Sequence, residues 1–148
     1  MKEITLVGDK ELLEALKKYG NKFSAEVKQA ITKTAINIHA DAVKAVSGSG
    51  SGRLYTRGPG RNLSATHRAS KPGDPPAKDT GNLASSLVWK MDGDFGLVGS
   101  SIRNPPYPMW LEFGTQNMEP RPFLTPAMEK NADKFIDRLK AIHAKAAP

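Results

Sequence analysis

Between Ser47 and Gly81 the chain places seven glycines and four prolines among 35 residues, and that run limits how everything else can fold. Proline removes an amide donor and locks φ, while glycine gives up the most conformational freedom on ordering, so no helix or central strand crosses such a stretch. Regular elements must lie on either side of it. A loop this long in a compact domain is as a rule functional or disordered, and residues 47–78 read as an arm inserted in a single domain spanning residues 1–148. Its opening SGSGSG lacks the lysine and the strand-to-helix setting of a phosphate-binding loop and reads as a flexible linker. Farther along, RLYT and SATHRAS are expected to pair as a hairpin around Gly58-Pro59-Gly60.

The arm also carries the charge. The net charge is +7, and between Ala42 and Gly73 stand Lys44, Arg53, Arg57, Arg61, Arg68 and Lys71 without one acid. Outside that window bases and acids nearly cancel, so the basicity belongs to one segment and its partner is expected to be anionic. The contact candidates are Arg53, Tyr55, Arg57, Arg61, His67, Arg68 and Lys71. Tyr55 is the arm's only aromatic residue, too few for a platform that stacks nucleic-acid bases.

Around the arm the periodicities predict an α+β domain: a small antiparallel sheet packed against two long helices. KEITLV, residues 2–7, reads as a short strand. Asp9 reads as the N-cap of a helix that buries Leu12, Leu16 and Tyr19 and stops at Gly20. A second helix, residues 24–46, repeats Val27, Ile31, Thr34, Ala35, Ile38 and Ala42 at three- and four-residue steps, ending with Ala45 or Val46. After a turn opened by Asp79, Thr80 and Gly81, residues 83–87 lead into the strand LVWKM, with Leu87, Trp89 and Met91 on one face. Asp92-Gly93 signals a hairpin, and FGLVGSS returns with Phe95, Leu97 and Gly99 on one face. Pro108 begins a short helix that buries Trp110, Leu111 and Phe113 and stops at Gly114. Thr125 and Pro126 begin the last helix as N-cap and first-turn proline, with Met128, Ala132, Phe135, Leu139 and Ile142 as its apolar stripe.

Few residues suggest catalysis. Cysteine is absent, which excludes disulfides, thiolate metal sites and thiol nucleophiles and fits a reducing compartment. His39, His67 and His143 lie in separate elements without metal-ligand spacing, and His67 suits a phosphate-facing donor. Gly99-Ser100-Ser101 lacks a nucleophile elbow. Asp92 and Asp94 flank a hairpin glycine, where aspartate serves the turn. Glu112, set among bulky apolar neighbours, reads as a cap or an ion pair, with Arg121 the nearest donor. No catalytic, cofactor or metal residue is expected. The first residues lack the apolar core of a signal peptide, and no run approaches a membrane span, so a cytoplasmic protein is expected.

Two segments also look familiar together. Tyr107, Leu111, Glu112, Phe113, Gly114 and Thr115, followed by Met118, Arg121, Pro122, Phe123, Leu124, Pro126 and Ala127, resemble the signature of bacteriophage tail-completion, or head–tail joining, proteins of long-tailed phages and prophages. His67-Arg68-Ala69-Ser70 with Pro72-Gly73, Pro75-Pro76-Ala77 and Asp79-Thr80-Gly81-x-Leu83 resembles that family's other marked segment, in the same order. The resemblance implies a non-enzymatic α+β virion subunit without cofactor, made in the host cytoplasm. It implies assembly as a ring at the head–tail junction, beside connector and tail proteins. The SGSGSG run departs from the pattern. In such a ring the arm would order against an acidic protein neighbour or lie on DNA backbone phosphates without reading sequence. A nucleic-acid-binding module that uses the arm is the competing reading.

Overall fold

The computed structural model describes residues 9–56 and 66–146; the expected strand at residues 2–7, the turn at 58–60, Arg57 and Arg61 lie outside them. The fold is mixed α and β, with a long N-terminal helix, a long C-terminal helix and two small antiparallel sheets.

Helix α1 runs without a break from Asp9 to Val46, so the expected stop at Gly20 does not occur. One glycine costs a helix interior about 1 kcal/mol relative to alanine, and the lysine, leucine, glutamate and alanine around it favour continuation. A Cβ added at that glycine would meet nothing within 4 Å beyond its own helix among the described residues. At 38 residues the helix is roughly 57 Å long. Tyr19 is exposed rather than buried and stacks on Phe23 with ring centroids 6.5 Å apart; the side chains of Leu12 and Leu16 lie outside the described set. The expected stripe is inward: Thr34, Ala35, Ala42 and Val46 are buried and Val27, Ile31 and Ile38 half-buried, and Ala30 joins the buried set.

After the arm, Asn82–Ser86 forms the short helix α2, where a lead into the strand was expected. Strands β3 (Leu87–Asp92) and β4 (Phe95–Ser100) then make the hairpin signalled by Asp92-Gly93, with Asp92 opposite Phe95 and Leu87 opposite Ser100. Gly96 lies against α1, where an added Cβ would stand 3.0 Å from Ile31 Cγ2 and 3.1 Å from Ala35 Cβ. Val98 and Gly96 border the same space as Ile31 and Ala35, so this face is turned to the helix. The opposite face, with Phe95, Leu97 and Val88, is exposed.

Helix α4 (Leu124–Ala146) packs along α1 in the antiparallel sense. Lys130 Nζ lies 2.7 Å from Asp41 Oδ1, and Arg138 Nη1 donates to Thr34 Oγ1 at 2.9 Å. Its expected apolar stripe is met in part: Phe135, Leu139 and Ile142 are half-buried, Met128 and Ala132 are exposed at the rim of a hollow shared with Ile31 and Ala35 of α1, and the fully buried positions go to Ala127 and Asn131. Asparagine is accepted there because its amide donates to Asp41 Oδ2 at 2.8 Å and to the Ala127 carbonyl at 2.9 Å, leaving no unpaired buried donor. The expectation of one sheet against two helices is therefore met in part, since the hairpin lies on α1 and α4 flanks that helix. The buried cluster is small: Ala42, Val46, Leu87, Phe123 and Ala127. It sits where the end of α1 and the starts of β3 and α4 meet.

Candidate functional site

The proline-held corner is built first. Helix α3 spans Tyr107–Phe113, with Pro108 buried in its first turn. At Gly114 the backbone takes φ 78° and the amide closes on the Trp110 carbonyl at 2.8 Å. A Cβ there would stand 2.8 Å from the Met118 carbonyl oxygen, so glycine is required for both reasons. Thr115 and Met118 bridge next, the Thr115 amide donating at 2.8 Å, and the Arg121 amide then donates to the Leu111 carbonyl at 2.7 Å. Phe123 fills the core at 1% exposure. Two expectations fail here. Phe113 is 73% exposed and Trp110 is also exposed, whereas Glu112, between them, is 6% exposed. A seven-residue helix covering a small core has room for one inward stripe, and Pro108, Leu111 and Glu112 occupy it.

Glu112 is a cap, but not through Arg121. Its Oε2 accepts the amides of Phe123 and Leu124 at 2.9 and 3.0 Å, and its Oε1 accepts the Thr125 amide at 2.8 Å. These are the orphan donors at the start of α4, where the helix dipole also favours negative charge. Helix α4 opens at Leu124, so the capping role expected of Thr125 is supplied by a carboxylate from α3. Burial alone would push the Glu112 carboxyl up; the amide donors of Phe123, Leu124 and Thr125 outweigh it and hold the group below its ordinary value. The Arg121 guanidinium has no partner at Glu112, and its Nε is buried without a hydrogen bond.

The arm's root closes against this corner. Strands β1 (Leu54–Thr56) and β2 (Thr66–Arg68) pair antiparallel as expected, with Tyr55 opposite His67. The root is not a loose linker. Gly52 donates to the Ala69 carbonyl at 2.7 Å, Ala69 donates to the Arg53 carbonyl at 2.9 Å, and Lys78 donates to the Gly48 carbonyl at 2.9 Å. A Cβ on Gly50 would overlap the carbonyls of Arg68 and Ala69, so this glycine serves close backbone approach rather than mobility. Arg53 lies over the Tyr55 ring at 5.5 Å, and Arg68 Nη1 donates to the Gly52 carbonyl at 3.1 Å. Lys71 and Tyr55 are exposed. The Gly73 amide donates to the Pro120 carbonyl at 3.0 Å, tying arm to corner.

Between them opens a cleft of about 370 Å³. Both marked segments line it: His67, Ser70, Asp79, Thr80 and Gly81 from one, Tyr107, Leu111 and Arg121 from the other. Of the other marked residues, Glu112, Gly114, Thr115 and Phe123 hold the corner that shapes it, while Pro122 precedes α4 and Pro126 lies in its first turn. His67 Nδ1 lies 3.8 Å from Asp79 Oδ1. Ser70 is buried at 5% exposure, and its Oγ, like Arg121 Nε, has no hydrogen-bond partner. Ser70 does not stand out as a contact candidate in the sequence, because burial of a small polar side chain in an irregular segment leaves no periodic trace.

Other polar side chains hold the fold. His39 Nε2 meets the Leu87 carbonyl at 3.0 Å, and Ser100 Oγ meets Ser86 Oγ at 2.8 Å. Among the described residues no three histidine or carboxylate side chains gather as a metal would require, and no helix is long and apolar enough to cross a membrane. Comparison with protein-family models, with curated proteins and with solved structures finds no match to this chain.

Proposed function

We propose that this chain is a non-enzymatic structural subunit of a long-tailed bacteriophage or prophage, acting within a ring at the joint between head and tail. The resemblance of the two marked segments motivates the assignment. The observation that carries the assembly role is the amount of large apolar surface without intrachain cover. Phe95, Leu97 and Val88 lie on the outer face of the hairpin, and Met109, Trp110 and Phe113 on α3. Contiguous patches of this kind mark protein contact sites. A subunit that completes its burial against neighbours accounts for that surface.

Electron microscopy of particles made without this protein tests the proposal. Filled heads beside unjoined tails of normal length support it, and joined, infectious particles refute it. The competing reading, sequence-independent binding to nucleic acid, draws on the cationic arm. It requires purified protein to bind duplex DNA with an affinity that falls steeply as salt rises.

A further inference from the structure

We propose that the free edge of β4 is a slot for a third strand, and that residues 2–7 of a second copy of this chain fill it. This contact would build the ring of the proposed function and rests on that reading for its purpose, but a second copy is all it requires. The edge of β4 is open. Bonded and non-bonded pairs alternate along an antiparallel ladder, and the Ser101 amide donates to the Ser86 carbonyl at 2.8 Å, one step beyond Leu87 opposite Ser100. The bonded pairs are therefore Val88 with Gly99, Lys90 with Leu97 and Asp92 with Phe95. The amides and carbonyls of Gly96 and Val98 point away from β3, and among the described residues no backbone group meets them. Such an edge is a template for a further strand.

An apolar hollow lies beside it. Strand β4 and helix α4 both pack along α1 but hardly touch each other. The gap between them, about 270 Å³, is lined by Ile31, Ala35 and Ile38 of α1 and by Met128, Ala132 and Phe135 of α4. A strand added to β4 directs every second side chain into that gap. Main-chain bonds then supply affinity and the alternate side chains supply fit.

KEITLV, residues 2–7, matches the slot in length and pattern: β4 is also six residues long, and Ile4 and Leu6 fall on one face of a strand. Tether length decides which copy can donate it. Helix α1 is unbroken from Asp9, and Gly96 lies against Ile31, roughly 33 Å farther along that helix. From Asp9 back to Lys2 the chain spans about 25 Å at most when fully extended, so the segment cannot reach the slot of its own molecule. Donation to a second copy is head to tail, and repeated around a circle it closes a ring.

Sedimentation velocity of the full-length protein over a dilution series tests the contact from both halves. Ile4→Asp with Leu6→Asp removes the donor face, and Ala132→Glu, at an exposed position on the rim, charges the slot; helical circular dichroism equal to wild type shows that each variant is folded. Wild type is expected to self-associate, and either variant to weaken association roughly tenfold or more. An equimolar mixture of the two variants keeps one intact donor and one intact slot, and should form heterodimers and nothing larger. A synthetic peptide of residues 1–8 should bind the donor variant saturably and slow hydrogen exchange at the Gly96 and Val98 amides, which a scrambled peptide should not. Wild type that stays monomeric, association unchanged in the donor variant, a mixture without heterodimers, or a peptide that leaves Gly96 and Val98 unprotected would each overturn the proposal. Particle assembly separates the two readings. If the donor variant still joins heads to tails, the slot is wrong while the head–tail role stands. If strand exchange is seen but particles join without the protein at all, the role is wrong while the slot stands.

Discussion

Replacing Glu112 perturbs the interaction on which the corner depends most. Three backbone amides, those of Phe123, Leu124 and Thr125, converge on one carboxylate at 2.8 to 3.0 Å. Hydrogen bonds to a charged acceptor contribute about 1.5–3 kcal/mol each, and an abandoned buried donor costs about 1–3 kcal/mol. Water can reach the partly covered amides of Leu124 and Thr125 but not that of buried Phe123, so the full sum does not apply. Glu112→Ala is therefore expected to lose about 3–5 kcal/mol. Glu112→Gln keeps one acceptor oxygen but loses the charge and turns an NH₂ toward donors, at a cost of about 2 kcal/mol. At roughly 2–4 °C per kcal/mol for a chain of this size, the glutamine variant melts about 4–8 °C lower.

The pH dependence carries the sharper test. The folded carboxyl lies below its ordinary value of 4.5, so its contribution is fully present above that value and is lost as pH falls through the lower folded value. The gap between wild type and Glu112→Gln, measured by urea unfolding, should be constant near neutrality and shrink in acid. Asp41 also titrates low in the folded state, but it does so in both proteins and cancels. Equal stability at pH 7, or a gap that persists undiminished once the carboxyl is protonated, would refute the capping account.

Phe123→Ala should cost about 3–5 kcal/mol in chemical unfolding, because the ring is among the largest fully buried groups of a small core. Gly50→Ala should speed hydrogen exchange at the Gly52 and Ala69 amides while leaving α1 and α4 protected, since the added methyl overlaps backbone carbonyls at the arm's root; unchanged exchange would mean that the root is as loose as its composition suggests. Asn131→Ala should destabilise by about 1–3 kcal/mol by leaving Asp41 with one fewer donor. Hydrogen bonds from Lys130 and Asn131 hold the Asp41 carboxyl below its ordinary value, so Asp41→Asn should also narrow the loss of stability in acid, which a comparison of melting curves at pH 7 and pH 3 checks.

Local chemistry was legible wherever one residue type has one conformational reason to be present. The alanine and β-branched stripe of α1, the hairpin at Asp92-Gly93, the pairing of LYT with THR and the helix stop at Gly114 follow from periodicity and turn chemistry, which act over a few residues. Wherever the outcome depended on which distant group comes near, only the folded chain decided it. Gly20 lies inside a helix because nothing there demands another conformation, whereas Gly50 is required because another backbone segment lies against it. Phe113 faces outward and Glu112 inward because the amides of α4 arrive at that spot, and no rule of hydrophobicity applied to α3 alone can anticipate this. The meeting of Arg121 and Ser70 at one cleft is of the same kind. Sequence patterns record what each segment prefers by itself, and the meeting of segments far apart in the chain is set by packing, which leaves no periodic mark on either one.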